Sequence, residues 1–166
     1  MRRADLAKTV NQAMRIQVLR SVLLNQVIAA QAGINPTDLQ CLNLLTLEGP
    51  MTPSRLAEAM AMTKGGAITA MVDRLEKAGY LRRVRDVRDR RQVLVEIIWE
   101  EPLHRLMAYY EPVGDALAGV LADYTDEELD LITEFTARGN IVLNAVVNAF
   151  SKPASRAATG PTVTPR

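Results

Sequence analysis

Apolar positions 10, 14, 18 and 22, with 19 and 23 beside them, recur at helical spacing through residues 5–31, a stretch that holds neither Gly nor Pro. The pattern predicts a long first helix closed by Gly33, with an apolar stripe that widens towards its end. That is more apolar surface than a helix lying on a small domain needs. A second helix should follow, with Asn35 as N-cap, Pro36 at the first helical position and Gly49 as the stop. Thr52 and Pro53 repeat this logic for a short helix to about Met60. After a turn at 61–63, Thr63 can cap a fourth helix whose buried stripe is Ile68, Met71, Val72 and Leu75 and whose stop is Gly79.

Beyond Gly79 the period changes. "YLRRV" and "RQVLVEIIW" are short β-type runs with a charged stretch between them. No Asn-Gly or Asp-Gly pair offers a two-residue turn, so a longer, protruding hairpin loop is expected. Pro102 marks the next boundary, and a helix over about 103–122 should be kinked or broken by Pro112 and Gly114. Thr125 to Glu128 is a capping box that opens a last helix to about Phe150. The final stretch, "SKPASRAATGPTVTPR", has the composition of a disordered tail.

The predicted fold class is mainly α with a small β-hairpin. Two short helices around a tight turn, followed by a hairpin, outline a winged helix-turn-helix. Residues 1–34 form the first terminal helix, 35–99 the winged region, 100–150 the last helices and 151–166 the tail. The terminal helices carry excess apolar surface, which reads as the interface of a homodimer rather than a larger monomer core.

Composition narrows the classes. Hydrophobic residues make up 48% of the 166, yet only two Phe, four Tyr and one Trp are present, so the core is aliphatic. The single Cys41 excludes an intrachain disulfide and suits a reducing compartment. The N-terminus lacks a signal-peptide core and no run of about 18 apolar residues exists, so the expectation is a cytosolic protein without a membrane partner. His104 has no companion for a metal site. With no nucleophile–base pair and no Gly-rich phosphate loop, neither an enzyme nor a cofactor is expected.

Charge is distributed unevenly. Residues 82–91 hold six Arg and two Asp, a local +4 in a chain of formal net charge +1. Residues 100–134 hold ten acids against Arg105 alone. A basic hairpin can be a solvated face, but this one uses no Lys, and the rigid fork of Arg suits phosphate. It also follows directly on the helix that would enter a major groove. That helix begins with Thr63, Lys64, Gly65, Gly66 and then Thr69. The two glycines cost about 1 kcal/mol each relative to Ala. Either an ordinary helical hairpin tolerates them near its cap, or the backbone approaches a phosphate closely there.

The segments "LAE", "TKGGAIT", "VDRLEKAGYL" and "RDVRDRRQVLV" resemble the winged-helix core of the MarR family of bacterial transcription regulators. The flanking helices, over about residues 5–150 in all, resemble that family's dimerisation region in pattern. The resemblance implies a homodimer that binds a pseudo-palindromic double-stranded operator and usually represses. It also implies release by a small, often aromatic ligand or by oxidation of a cysteine. By position it places Thr63, Lys64, Gly65, Gly66 and Thr69 on DNA, with Arg90 at the wing tip, Arg88 next in line and Arg74 as a phosphate contact. Arg91 would turn back to Asp73 and brace the wing, while Asp86 and Asp89 would hold neighbouring guanidinium groups.

There are two departures. Ala70 stands where many members carry Arg or another polar residue, and "IIWEEP" replaces the usual end of the second wing strand. The alternatives are a winged-helix protein-interaction module without specific DNA binding, and a redox regulator using Cys41. The leucines around Cys41 and the lack of a basic neighbour favour a packing role for it.

Overall fold

A computed structural model describes residues 2–62 and 66–151 of the chain. Two compact units are present, Met1–Leu117 and Ala118–Arg166. In the first, α1 (Arg2–Ala32), α2 (Pro36–Glu48), α3 (Pro53–Ala59) and α4 (Gly66–Lys77) lead into strands β1 (Leu81–Arg85) and β2 (Val93–Ile97), then α5 (Glu101–Ala108). Helix α6 (Glu111–Leu121) runs across the division, and α7 (Asp126–Ser151) forms most of the second unit.

The core of the first unit is aliphatic, as composition requires. Leu39, Leu42 and Leu45 of α2 meet Leu56 of α3, the four-residue stripe of α4, Leu81, Val95, and Leu103 and Leu106 of α5. That α4 stripe is Ile68, Met71, Val72 and Leu75, the residues its periodicity selects. Helix α1 contributes little to this core. Of its 31 residues only Ile28 and Ala29 are buried, while Val10, Val18, Leu19, Val22 and Val27 stay exposed.

Local signals account for most helix ends. The Thr52 hydroxyl accepts the Arg55 amide at 3.2 Å and starts α3. Asn35 occupies the N-cap of α2, but its side chain makes no cap bond and donates instead to Asp38 at 3.4 Å. Gly79 has φ +79°, the left-handed conformation that turns the chain from α4 into β1 without Cβ strain. Ala61, in the turn after α3, is also left-handed at φ +52° although it carries a Cβ. Two bonds close that turn, Ala61 N–H to Glu58 O at 3.0 Å and Met62 N–H to Ala57 O at 2.8 Å.

The hairpin pairs β1 and β2 antiparallel, with Leu81 opposite Ile97 and Arg83 opposite Val95. On the other edge of β2, Val95 bridges to Met51 through bonds of 2.8 and 3.2 Å, which anchors the wing base to the start of α3. The expected helix over 103–122 starts at Glu101 and breaks at Tyr109–Tyr110. This puts Pro112 in the first turn of α6, where its missing N–H has no partner to lose. Gly114 lies inside α6 without interrupting it. At the break, the Tyr110 hydroxyl donates to Asn25 Oδ1 at 2.8 Å and accepts from Asn43 at 3.0 Å.

In the second unit the capping box forms both of its bonds. The Thr125 amide donates to Glu128 at 2.9 Å, and the Glu128 amide donates to the Thr125 hydroxyl at 3.3 Å. On α7, Leu131, Phe135, Ile141, Val142, Leu143, Val146, Val147 and Phe150 are exposed.

Candidate nucleic-acid interface

Two surfaces of the first unit carry the residues singled out by sequence, the exposed side of α4 and the wing. On α4, Gly66, Ala67, Thr69 and Ala70 are exposed at the N-terminal end, opposite the buried stripe. A Cβ built on Gly66 meets nothing within 4 Å, so nothing in the described chain requires a glycine there. Thr63, Lys64 and Gly65 lie outside the described residues.

The wing is fastened to α4 by Arg83. Leu81 and Arg83 share one face of β1 by the two-residue period, and Leu81 is fully buried, so Arg83 points towards the body of the unit. There its Nη2 donates to Asp73 Oδ1 at 2.5 Å and its Nη1 donates to Glu76 Oε2. The Arg83 backbone N–H also donates to Glu76 Oε1, at 3.0 Å. Partial burial lowers the Arg83 pKa, but the bond to Asp73 and the charge of Glu76 outweigh it and hold the group above its ordinary value. The bracing partner of Asp73 is therefore Arg83 and not Arg91. Arg91 sits in the loop beyond the end of the strand pairing and is exposed, whereas Arg83 is held in register against α4.

Arg74 is likewise committed within the protein. It grips Asp38 of α2 with two parallel bonds, Nε to Oδ2 at 2.8 Å and Nη2 to Oδ1 at 2.5 Å. The Asp38 side chain is 2% exposed and the Arg74 side chain 50%. Hydrogen bonding to Asp38 raises the Arg74 pKa against a smaller opposing effect of burial. Arg74, expected from the family resemblance as a phosphate contact, thus spends two N–H groups of its fork on a buried carboxylate. Asp38 lies in step with Cys41, Leu42 and Leu45 on the buried stripe of α2. An acid on an apolar stripe needs a cation, and that is the signal the sequence carries for this pair. For Arg83 the signal is an inward strand position opposite two acids spaced three apart on a helix.

The wing tip, residues 86–92, is folded by its own acids. Asp86 Oδ1 accepts the Arg88 amide at 2.8 Å and Asp89 Oδ1 accepts the Arg91 amide at 3.0 Å. Asp89 Oδ2 also accepts from the Gln92 side chain at 3.2 Å. Asp86 and Asp89 therefore hold backbone rather than neighbouring guanidinium groups, since a two-residue Asx turn is closer to hand than a long side chain. Arg88, Arg90 and Arg91 are exposed and enter no ion pair among the described residues.

Cys41 is fully buried, and its thiol is pushed up to about 12 by burial and by the charge of Asp38. An accessible, acidic thiol is what a redox sensor needs, and this is the opposite. A disulfide reagent is expected to leave the native thiol untouched at pH 8 and to react once urea unfolds the chain. The linkage has a definite sign. Above about pH 9 the unfolded chain ionises its thiol while the native one stays protonated, so stability present below pH 9 is lost as pH rises towards 12. Cys41→Ala should remove that part of the alkaline loss in urea titrations between pH 9 and 11.

Among the described residues no cluster of three or more His, Cys, Asp or Glu could hold a metal, and no helix is long and apolar enough to cross a membrane.

The family profile described as MarR matches residues 34–93, the winged region just described. The chain is also 37% identical over 136 residues to the uncharacterized HTH-type transcriptional regulator YcgE of Bacillus subtilis, covering 82% of this chain and 87% of that protein. This chain belongs to the MarR family. Solved structures agree on the MarR fold. A MarR family protein from Bacillus stearothermophilus superposes with TM-score 0.59 at 23% identity, over 83% of this chain and 97% of its own. A transcriptional regulator from Thermotoga maritima does so with TM-score 0.56 at 24% identity, over 88% and 99%. Membership makes this MarR-family chain a transcription regulator rather than an enzyme.

Proposed function

We propose that this protein is a homodimeric, sequence-specific DNA-binding regulator that represses from a pseudo-palindromic operator and is released by a small ligand. The observation that carries the DNA reading is the wing tip. It presents the guanidinium groups of Arg88, Arg90 and Arg91 without partners among the described residues, on a hairpin clamped to α4 by Arg83. Narrow minor grooves concentrate negative potential and attract such groups. The open space at Gly66 adds support, because a helix N-terminus without a Cβ lets backbone approach a phosphate. Thr69 is exposed on the same end of α4. Thr63, Lys64 and Gly65 complete the proposed contact set from the sequence.

The homodimer is supported by apolar surface left uncovered in both units, on α1 and on α7. Exposed apolar side chains in such number on two long helices suit burial against a second copy of the chain. For the effector, a cavity of about 340 Å³ beside the wing base is lined by Leu45, Pro50, Ile97 and Trp99, with Arg82 and Glu96 at its polar side. That volume is within the range of small-ligand sites, and Trp99 offers an aromatic face beside the polar groups.

The test is a binding series on the duplex most enriched by the protein from a random-sequence library. Wild type should prefer it over a scrambled duplex, with log K falling linearly against log salt. Arg90→Ala should lower affinity and reduce the salt slope by about one, while sedimentation still reports a dimer. A protein with no preference among duplexes would instead be an interaction module, the reading that the exposed Ala70 favours.

A further inference from the structure

We propose that Asp86 and Asp89 are positioning residues for DNA binding, which shape the wing tip through their side-chain oxygens and not through their charge. The inference rests on the DNA-binding reading and deepens it. Two carboxylates inside a surface offered to a polyanion are unfavourable on Coulomb grounds, and at physiological salt repulsion reaches about 8 Å. Their presence needs a compensating role, and the geometry supplies one.

Each aspartate caps the backbone two residues ahead, Asp86 to the Arg88 amide and Asp89 to the Arg91 amide. The two turns follow each other without a gap. They are closed into one loop by Asp86 N–H to Gln92 O at 3.1 Å and Gln92 N–H to Asp89 O at 2.9 Å. Arg85 Nη1 ties in the outer strand by donating to Arg90 O at 3.3 Å. Every bond named here is made by a group other than the guanidiniums of Arg88, Arg90 and Arg91. The tip is therefore held in shape while its three cations stay free. A flexible seven-residue loop carrying the same arginines would lose backbone conformational entropy on binding, which a pre-shaped tip has already lost.

Oxygen and charge can be separated. Asparagine keeps the Oδ1 acceptor that an Asx turn needs and removes the charge, whereas alanine removes both. Asp86→Asn/Asp89→Asn and Asp86→Ala/Asp89→Ala carry the same net charge, so any difference between them reads the turns alone.

The duplex most enriched by wild-type protein from the random-sequence library serves as probe, beside a scrambled duplex. The Asn pair should bind the enriched duplex at least as tightly as wild type. The Ala pair should bind it about tenfold more weakly than the Asn pair, at equal affinity for the scrambled duplex. Both should melt within a degree or two of wild type, because the tip is outside the core. Independently of DNA, the amide temperature coefficients of Arg88 and Arg91 should mark hydrogen-bonded protons in wild type and the Asn pair, and free ones in the Ala pair. Ala and Asn pairs that both bind at least as tightly as wild type would overturn the inference, since the turns would then contribute nothing to binding. An Asn pair as weak as the Ala pair would overturn it too, by making the carboxylate itself necessary. Failure of wild type to prefer the enriched duplex would instead refute the DNA-binding reading.

Discussion

Arg74→Ala should lower stability by about 3 kcal/mol, the lower end of the cost of removing one partner from a buried ion pair. The Asp38 carboxylate is almost fully buried and receives both bonds of the guanidinium fork, so the variant strands a charge inside α2. The lower end applies because half of the Arg74 side chain faces water and the pair is partly screened. In a chain of this length the loss corresponds to a fall in melting temperature of roughly 6–12 °C. Asp38→Ala/Arg74→Ala should recover part of it, because no uncompensated carboxylate remains. A phosphate-contacting Arg74 makes the contrary prediction, a native melting temperature with weakened binding to every duplex, and that result would discard the structural role.

The second large effect concerns the wing. Arg83→Ala removes two charge-assisted bonds from α4 to β1 and leaves Asp73 and Glu76 facing each other unneutralised. Bonds to charged groups contribute about 1.5–3 kcal/mol when protected, less here because Arg83 keeps about a third of its side chain exposed. The stability loss is therefore expected near 1–2 kcal/mol. Affinity for the enriched duplex should fall further, by about 10–100-fold, because a loosened wing must be ordered on binding. Arg83→Lys should behave like the alanine variant in part, since one ammonium cannot reach both carboxylates as a fork does. Arg91→Ala should leave the melting temperature unchanged. A stability loss at Arg91 with none at Arg83 would reverse the assignment of the brace.

Much of the fold is legible in the sequence because its signals are local. Thr52 and Thr125 act on amides three residues away, Gly79 acts on its own φ, and the α4 stripe follows from a period of 3.6. The parts that are not legible depend on register and on distant pairing. Asp38 and Arg74 are 36 residues apart and meet only once α4 has packed on α2. The Val95–Met51 bridge requires β2 to find an isolated residue before α3. A family pattern of sequence positions points to Arg91 as the partner of Asp73. The inward face of β1 selects Arg83 instead, by direction rather than by order along the chain. The acids of the wing are visible as acids, but their acceptors point at backbone, which no charge count reveals.

The turn between α3 and α4 has a consequence for how this sequence can change. Ala61 occupies a left-handed conformation that costs an L-residue roughly 1–2 kcal/mol. Glycine would relieve that strain. It would also widen the freedom of the unfolded chain, which opposes folding by about 0.4–1 kcal/mol. The balance on these figures favours glycine by roughly 0–1.6 kcal/mol, and the turn is held by backbone bonds that either residue can make. Either residue therefore satisfies this bend, and what the turn demands of position 61 is a left-handed backbone rather than one residue type.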